Sequence, residues 1–189
     1  MIWFTADQHY NHKEIIKFCN RPFKTVEEMN ETIIKNHNAV VGKYDVVWHL
    51  GDFAWDNAAE TLGRLKGIHK LCLGNHDKKH LARWEFDLFD QIFEVTNVRW
   101  YGVKIWCSHY AHSRWPSSHH GRGHAFAHSH GMYQPKDRRI DVGVDNQNFT
   151  PICFQDLNEQ LMNRPVYILE PLFEEAAKFG EEGEDDDLD

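Results

Sequence analysis

Five times along its 189 residues this chain runs a short apolar segment into a cluster of polar residues able to hold a ligand. Ile2-Trp3-Phe4 leads to Asp7-Gln8-His9, and Val46-Val47-Trp48-His49-Leu50 leads to Gly51-Asp52. Lys70-Leu71-Cys72-Leu73 leads to Gly74-Asn75-His76-Asp77, Val103 through Cys107 to Ser108-His109, and Ala125-Phe126-Ala127 to His128-Ser129-His130. Short apolar runs bounded by glycine and polar residues suit strands buried on both faces. In open α/β sheets, ligands gather beyond the carboxyl ends of strands. The five clusters are therefore placed to converge.

Between the runs lie helical patterns. Thr25-Val26-Glu27-Glu28 has the form of a capping box, and Val26, Met29, Ile33 and Val40 recur at helical spacing up to about Gly42. Asn57 is positioned to cap a second helix with Leu62 and Leu65 on its inner face, ending near Gly67, and a third is expected from Gln155 to Met162. Strand–helix–strand order in the first half argues for a layered α/β fold. From about Phe93 the pattern changes to consecutive strands, Phe93 to Trp100 and Val103 to Cys107, joined by a turn at Tyr101-Gly102.

An apolar fraction of 41% is that of a globular chain, and no apolar run approaches the ~20 residues of a membrane span. A single domain over residues 1–179 is expected. The formal charge of −8 resides almost wholly in an acidic tail at residues 180–189, which is expected to be disordered. The remaining body is nearly neutral, which argues against extended nucleic-acid binding. Four scattered cysteines (Cys19, Cys72, Cys107 and Cys153) and no basic leader read as free thiols of a cytoplasmic protein.

Any one cluster could be a turn, and His128-x-His130 alone could be two residues sharing a strand face. Five in succession, supplying Asp7, His9, Asp52, Asn75, His109, His128 and His130, ask for another explanation. Carboxylate and amide oxygens with imidazole nitrogens, and no thiolate, suit manganese, iron, zinc or nickel. Seven ligands exceed what one ion takes, and with one carboxylate bridging they divide between two. Paired divalent ions suit in-line displacement at phosphorus.

The ordered set Asp7-x-His9, Gly51-Asp52, Gly74-Asn75-His76-Asp77, His109 and His128-x-His130 resembles the calcineurin-like metallophosphoesterase superfamily, especially its small stand-alone bacterial and phage members. The resemblance spans Met1 to about Phe154. It implies a four-layer α-β-β-α sandwich of two mixed sheets flanked by helices. It also implies that Asp7, His9 and His130 hold one metal ion, that Asn75, His109 and His128 hold the other, and that Asp52 bridges them. By the same resemblance His76 would donate a proton to the leaving oxygen or stabilise the phosphoryl charge, and Asp77 would orient it. One departure is that Ala127 stands where the superfamily usually has glycine.

Nearby, His12 reads either as a pocket residue beside the first metal or as the start of a helix. Arg21 is either a phosphate clamp or a surface arginine paired with a carboxylate. Arg114, in the Gly- and His-rich stretch from Tyr110 to His124, is a candidate phosphate contact, whereas Trp115 there is expected to pack on the core. His49 is expected in the sheet rather than on a metal; His37, His69 and His80 have no evident partner and read as structural or surface residues. The expected activity is metal-dependent hydrolysis of a small, nucleotide-like phosphate ester, a phosphodiester by preference, by hydroxide generated on two divalent ions, manganese first among them. The rivals are a metal-binding scaffold for protein partners and a metal-dependent nuclease.

Overall fold

Each of the five apolar runs is a strand. The computed structural model describes residues 1–166; the tail at 180–189 and the end of the expected domain lie outside the described residues. The first three runs are β1 (Ile2–Thr5), β2 (Val46–His49) and β3 (Ile68–Cys72), hydrogen-bonded in parallel in the order β3-β2-β1. Parallel β4 (Gln91–Phe93) extends this sheet beyond β3. The other two runs are β6 (Val103–Ser108) and β7 (Gly123–Phe126), parallel neighbours in a second sheet between antiparallel β5 (Val95–Trp100) and parallel β8 (Arg139–Asp141). A two-residue strand, β9 (Ile152–Cys153), closes the first sheet antiparallel to β1. Both sheets are mixed, and helices flank the pair, as expected.

The stretch expected as one strand from Phe93 to Trp100 is instead two. Gln91–Phe93 pairs with β3, whereas Val95–Trp100 pairs with β6, so the chain passes from one sheet to the other at Glu94. The turn between β5 and β6 falls at Tyr101 and Gly102, both with positive φ (44° and 85°), the backbone twist that two-residue hairpin turns require.

The helices follow the sequence pattern closely. Helix α1 (Ile15–Phe18) is a single turn; α2 (Val26–Val40) buries Met29, Ile33, Ile34 and His37 on one face. Thr25 caps it, accepting the N–H of Glu28 at 3.2 Å, while the Glu28 carboxylate reaches one residue further back to the N–H of Lys24 (2.8 Å). Helix α3 (Ala58–Arg64) buries Leu62, but Asn57 adopts a left-handed conformation at its start and makes no side-chain cap. Helix α4 (Asp77–His80) is one turn, and α5 (Phe154–Met162) begins one residue earlier than expected, its first turn held by the Cys153 thiol.

Two cores divide the molecule. Phe4, Trp48, Leu50, Ile105, Cys107, Ala125 and Ile140 fill the space between the sheets together with Leu157 and Leu161 of α5. Met29 and Ile33 of α2, Ala58 and Leu62 of α3, and Leu71 and Phe53 form the second core against the outer face of the first sheet. Truncating a fully buried phenylalanine such as Phe4 to alanine costs about 3–5 kcal/mol. The outer face of the second sheet is covered by the loop that follows β6. There Trp115 is buried against His124 and donates its indole N–H to the Arg122 carbonyl (2.9 Å), the packing role expected of it.

Candidate metal centre

The carboxyl ends of β1, β2, β3, β6 and β7 carry all seven candidate ligands. Twelve non-glycine residues among those described have positive φ, and Asp7, His9, Asp52, His128 and His130 are five of them. Left-handed backbone is costly for residues with a Cβ and persists where surrounding structure enforces it. Here the enforcement comes from cross-loop bonds. The Asp7 N–H donates to the Gly51 carbonyl and the His9 N–H to the Asp52 carbonyl, both at 3.0 Å. The His128 N–H donates to Asp7 Oδ2 at 2.8 Å, joining the two sheets' loops directly.

Close approach explains two glycines. A Cβ at Gly51 (φ +99°) would collide with the His109 ring and the Gly74 backbone; one at Gly74 would collide with the Asp52 carboxylate. Ala127, at the position where glycine was expected, lies buried in the inter-sheet core with its N–H bonded to the His109 carbonyl (2.9 Å).

The side chains fall into two groups. In one, ligand atoms of Asp7, His9 and His130 lie within 4.8 Å of one another; in the other, those of Asp52, His109 and His128 do. Asn75 joins the second group, its Oδ1 2.9 Å from His109 Nε2. Asp52 sits between them, with Oδ2 3.7 Å from His9 Nε2 and 3.5 Å from His109 Nε2.

The chemistry of these atoms fits divalent cations. Asp7 Oδ1 and His9 Nε2 are buried with no hydrogen-bond partner, a costly state for polar atoms in a protein interior. His109 Nδ1 donates to the Leu50 carbonyl (2.8 Å), and in that tautomer Nε2 carries the lone pair. That lone pair faces the oxygens of Asn75 and Asp52, three electron-rich atoms around one point. Burial pushes the Asp7 carboxyl well above its ordinary range, despite the opposing pull of His130, and burial with neighbouring cationic groups holds His9 well below it. A cation among them would favour the ionised Asp7 carboxylate, and it would meet a His9 ring already held neutral.

Behind the ligands stand residues that aim them. Asp145, which the sequence patterns did not single out, accepts His130 Nδ1 at 2.8 Å and is gripped through both oxygens by Arg21, Nε and Nη2 each at 2.8 Å. Burial disfavours the charged form of His130, but the hydrogen bonds to Asp145 and Cys19 and the nearby Asp7 carboxylate outweigh it and raise the ring to about 10. Arg21 is therefore no phosphate clamp. It pairs with a carboxylate, but in the interior and not at the surface as expected: its side chain is fully buried and also donates to the carbonyls of Asp7 (2.7 Å) and Gln8 (3.0 Å). Asp141, likewise not anticipated, accepts the Ser129 hydroxyl (2.5 Å) and the Gly131 N–H (3.2 Å) and so fixes the His128–His130 loop.

Asp77 also differs from expectation. Its carboxylate makes no hydrogen bond to the His76 ring but accepts the N–H groups of Asp52 (3.0 Å), Phe53 (2.9 Å) and Gly74 (2.7 Å). It ties the loop after β2 to the loop after β3. Burial raises its carboxyl, and the donated hydrogen bonds work against that rise. His76 itself is half-buried beside the first group, 5.5 Å from the His9 ring, and its N–H is fixed by Asp52 Oδ1 (2.9 Å).

The His12 ring lies 5.4 Å from that of His9 and stacks on Trp55 at 3.8 Å; His80 stacks on the opposite side of the same indole at 3.6 Å. Arg114 is exposed and makes no hydrogen bond or ion pair with the ligand groups. His49 lies in β2, and His37 and His69, expected to lack partners, share a buried cluster with it. Gln8 Nε2 meets His49 Nδ1 at 2.8 Å, His49 Nε2 meets His69 Nδ1 at 3.0 Å, and His37 Nε2 meets the Lys66 carbonyl at 2.8 Å.

A family model described as calcineurin-like phosphoesterase matches residues 1–170. An uncharacterised protein of Methanocaldococcus jannaschii is 36% identical over 174 residues, covering 86% of this chain and 92% of its own length. The gene 66 protein of Mycobacterium phage L5 is 38% identical over 87 residues, 41% of this chain and 40% of the phage protein. The crystal structure of a protein of unknown function from Aquifex aeolicus superposes with a TM-score of 0.65 at 24% identity, covering 85% of this chain and 98% of that one, a likeness of fold. Among the described residues no helix is long and apolar enough to cross a membrane.

Proposed function

Because the chain belongs to the calcineurin-like phosphoesterase family, we propose that it is a two-metal hydrolase of a small phosphodiester, nucleotide-like in character. Asp7, His9 and His130 would hold one ion, Asn75, His109 and His128 would hold the other, and Asp52 would be shared between them. The placement of Asp52 between the two ligand groups, 3.7 Å from His9 Nε2 and 3.5 Å from His109 Nε2, carries this reading. When bound, the ions supply an activated water and neutralise charge on the phosphoryl oxygens. The oxygen and nitrogen donor set suits manganese first, then iron, zinc or nickel. Four free cysteines suit a reducing, cytoplasmic setting.

The protein's own groups do the rest. His76, beside the first group, protonates the departing alkoxide. Asp77 acts through the backbone, holding the loops of Asp52 and Asn75 in register. His12, on the wall formed with Trp55, contacts the phosphoryl group, and Arg114 reaches the substrate from the loop after β6.

The test is a hydrolysis screen over phosphomonoesters, phosphodiesters and cyclic nucleotides with each of the four metals, beside metal counting on Asp52→Ala. Metal-dependent hydrolysis that a chelator abolishes, and loss of metal from the variant, are expected. Hydrolysis that survives chelation, or a variant that keeps both ions, overturns the reading.

A further inference from the structure

A cavity of about 360 Å³ opens beside Asn75 and His109, between the loop after β3 and the chain flanking β6. Leu73 and Val95 give it an apolar lining, and at its rim the charges of Lys78 and Glu94 cancel in a 2.7 Å ion pair. It therefore offers little to a second phosphate and much to an uncharged, partly apolar group.

Two side chains give the cavity its selectivity. Tyr110 packs against the rings of His128 (4.6 Å) and His109 (5.1 Å), yet 49% of its surface stays exposed. His112 is held from every other direction. Its N–H donates to His124 Nε2 (3.0 Å), its carbonyl accepts from Arg139 (3.2 Å), and its Nδ1 accepts the Trp106 indole N–H (3.1 Å). With Nδ1 committed as acceptor, the proton of the neutral ring must sit on Nε2, leaving one oriented donor. Burial, which lowers the ring's basicity, favours that neutral form.

We propose that this cavity is the subsite for the alcohol half of the ester, and that it selects a flat ring carrying a hydrogen-bond acceptor. The ring stacks on Tyr110, and the acceptor takes the Nε2–H of His112. This rests on the hydrolytic reading above and narrows it to aryl and nucleoside esters.

Non-hydrolysable phosphonates separate the two ideas. The manganese-loaded protein is titrated calorimetrically with methylphosphonate, benzylphosphonate and 3-pyridylmethylphosphonate. Benzylphosphonate should bind about tenfold more tightly than methylphosphonate, the scale of one ring stacked on an aromatic side chain. The pyridyl ligand should gain about fivefold more, the scale of one added hydrogen bond. Tyr110→Ala should bring the benzyl-to-methyl ratio to within about twofold and Tyr110→Phe should preserve it, while His112→Phe should erase only the pyridyl gain. Adenosine 5′-monophosphate distinguishes the source of the ring. Affinity matching the pyridyl ligand assigns a nucleoside ester, and affinity matching methylphosphonate assigns a compact aryl ester. Equal binding of the methyl and benzyl ligands, or a preference that survives Tyr110→Ala, overturns the subsite alone. Absence of any methylphosphonate binding overturns the hydrolytic reading and the subsite with it.

Discussion

Asp77 Oδ2 accepts the main-chain N–H of Asp52 at 3.0 Å, so one buried carboxylate fixes the backbone of another. The same oxygen accepts the Gly74 N–H, and the second oxygen that of Phe53. Two loops from neighbouring strands are thus joined through a single side chain, and Asn75 rides on one of them while Asp52 rides on the other.

Asp77→Ala should therefore act first on stability. It strands three main-chain donors, at least two of them in the buried Asp52–Phe53 turn, and should cost about 3 kcal/mol or more in urea unfolding of the metal-free protein. Asp77→Asn should cost less, since it keeps one acceptor. Unchanged unfolding together with an altered pH–rate profile would instead mean that Asp77 acts on His76.

Arg21, Asp145 and His130 form a chain in which each group orients the next. Removing the carboxylate charge with Asp145→Asn should weaken metal binding at the Asp7–His9–His130 group by about 10–100-fold, read by metal titration. Arg21→Lys should move affinity in the same direction, because an ammonium cannot grip both oxygens as the guanidinium does.

His76→Ala should leave the metal content intact and slow hydrolysis of alkyl esters by about 10²–10⁴-fold. A nitrophenyl ester, whose leaving group departs without a proton, should lose much less. Equal losses on the two substrate types would remove His76 from the role of acid.

The buried histidine cluster sets a pH dependence of stability. Burial holds His69 at about 4 and keeps His37 and His49 below the ordinary histidine value of 6.5. In each case the folded state binds protons less readily than the unfolded chain. Stability is whole above about pH 6.5, declines as pH falls because the unfolded chain takes up protons first, and for His69 is fully lost by about pH 4. That residue alone accounts for about 3 kcal/mol. Unfolding curves between these limits should show His69→Gln with a slope shallower by about 1.4 kcal/mol per pH unit than the parent protein.

The strand-end clusters were legible because a parallel strand has one carboxyl end and the residues beyond it have few other places to go. The grouping of Asp7 with His130 follows from the contact of two sheets, and in the sequence only the family resemblance implied it. Asp145 was not legible. It sits in a short turn after β8 with no apolar run to announce it, and its value depends on Arg21, 124 residues away. Arg21 in turn reads as a phosphate ligand until that partner is known. The cluster of His49 and His69 depends on which residues of β2 and β3 lie side by side, a register that neither run specifies alone. The division of 91–100 between two sheets depends on where β3 and β6 end, which local alternation at Glu94 does not record.

The His128 N–H reaches Asp7 across 121 positions of the chain. Synthesis proceeds at about 5–20 residues per second, so the first ligands leave the ribosome several seconds before those that complete their group. During that interval Asp7 and His9 belong to a growing chain that has no second sheet. Whatever holds the early part together, it cannot yet be this metal centre. Any polypeptide cut short before His128 lacks a member of each candidate group, so under the two-metal reading proposed above, loading would belong to the end of biosynthesis.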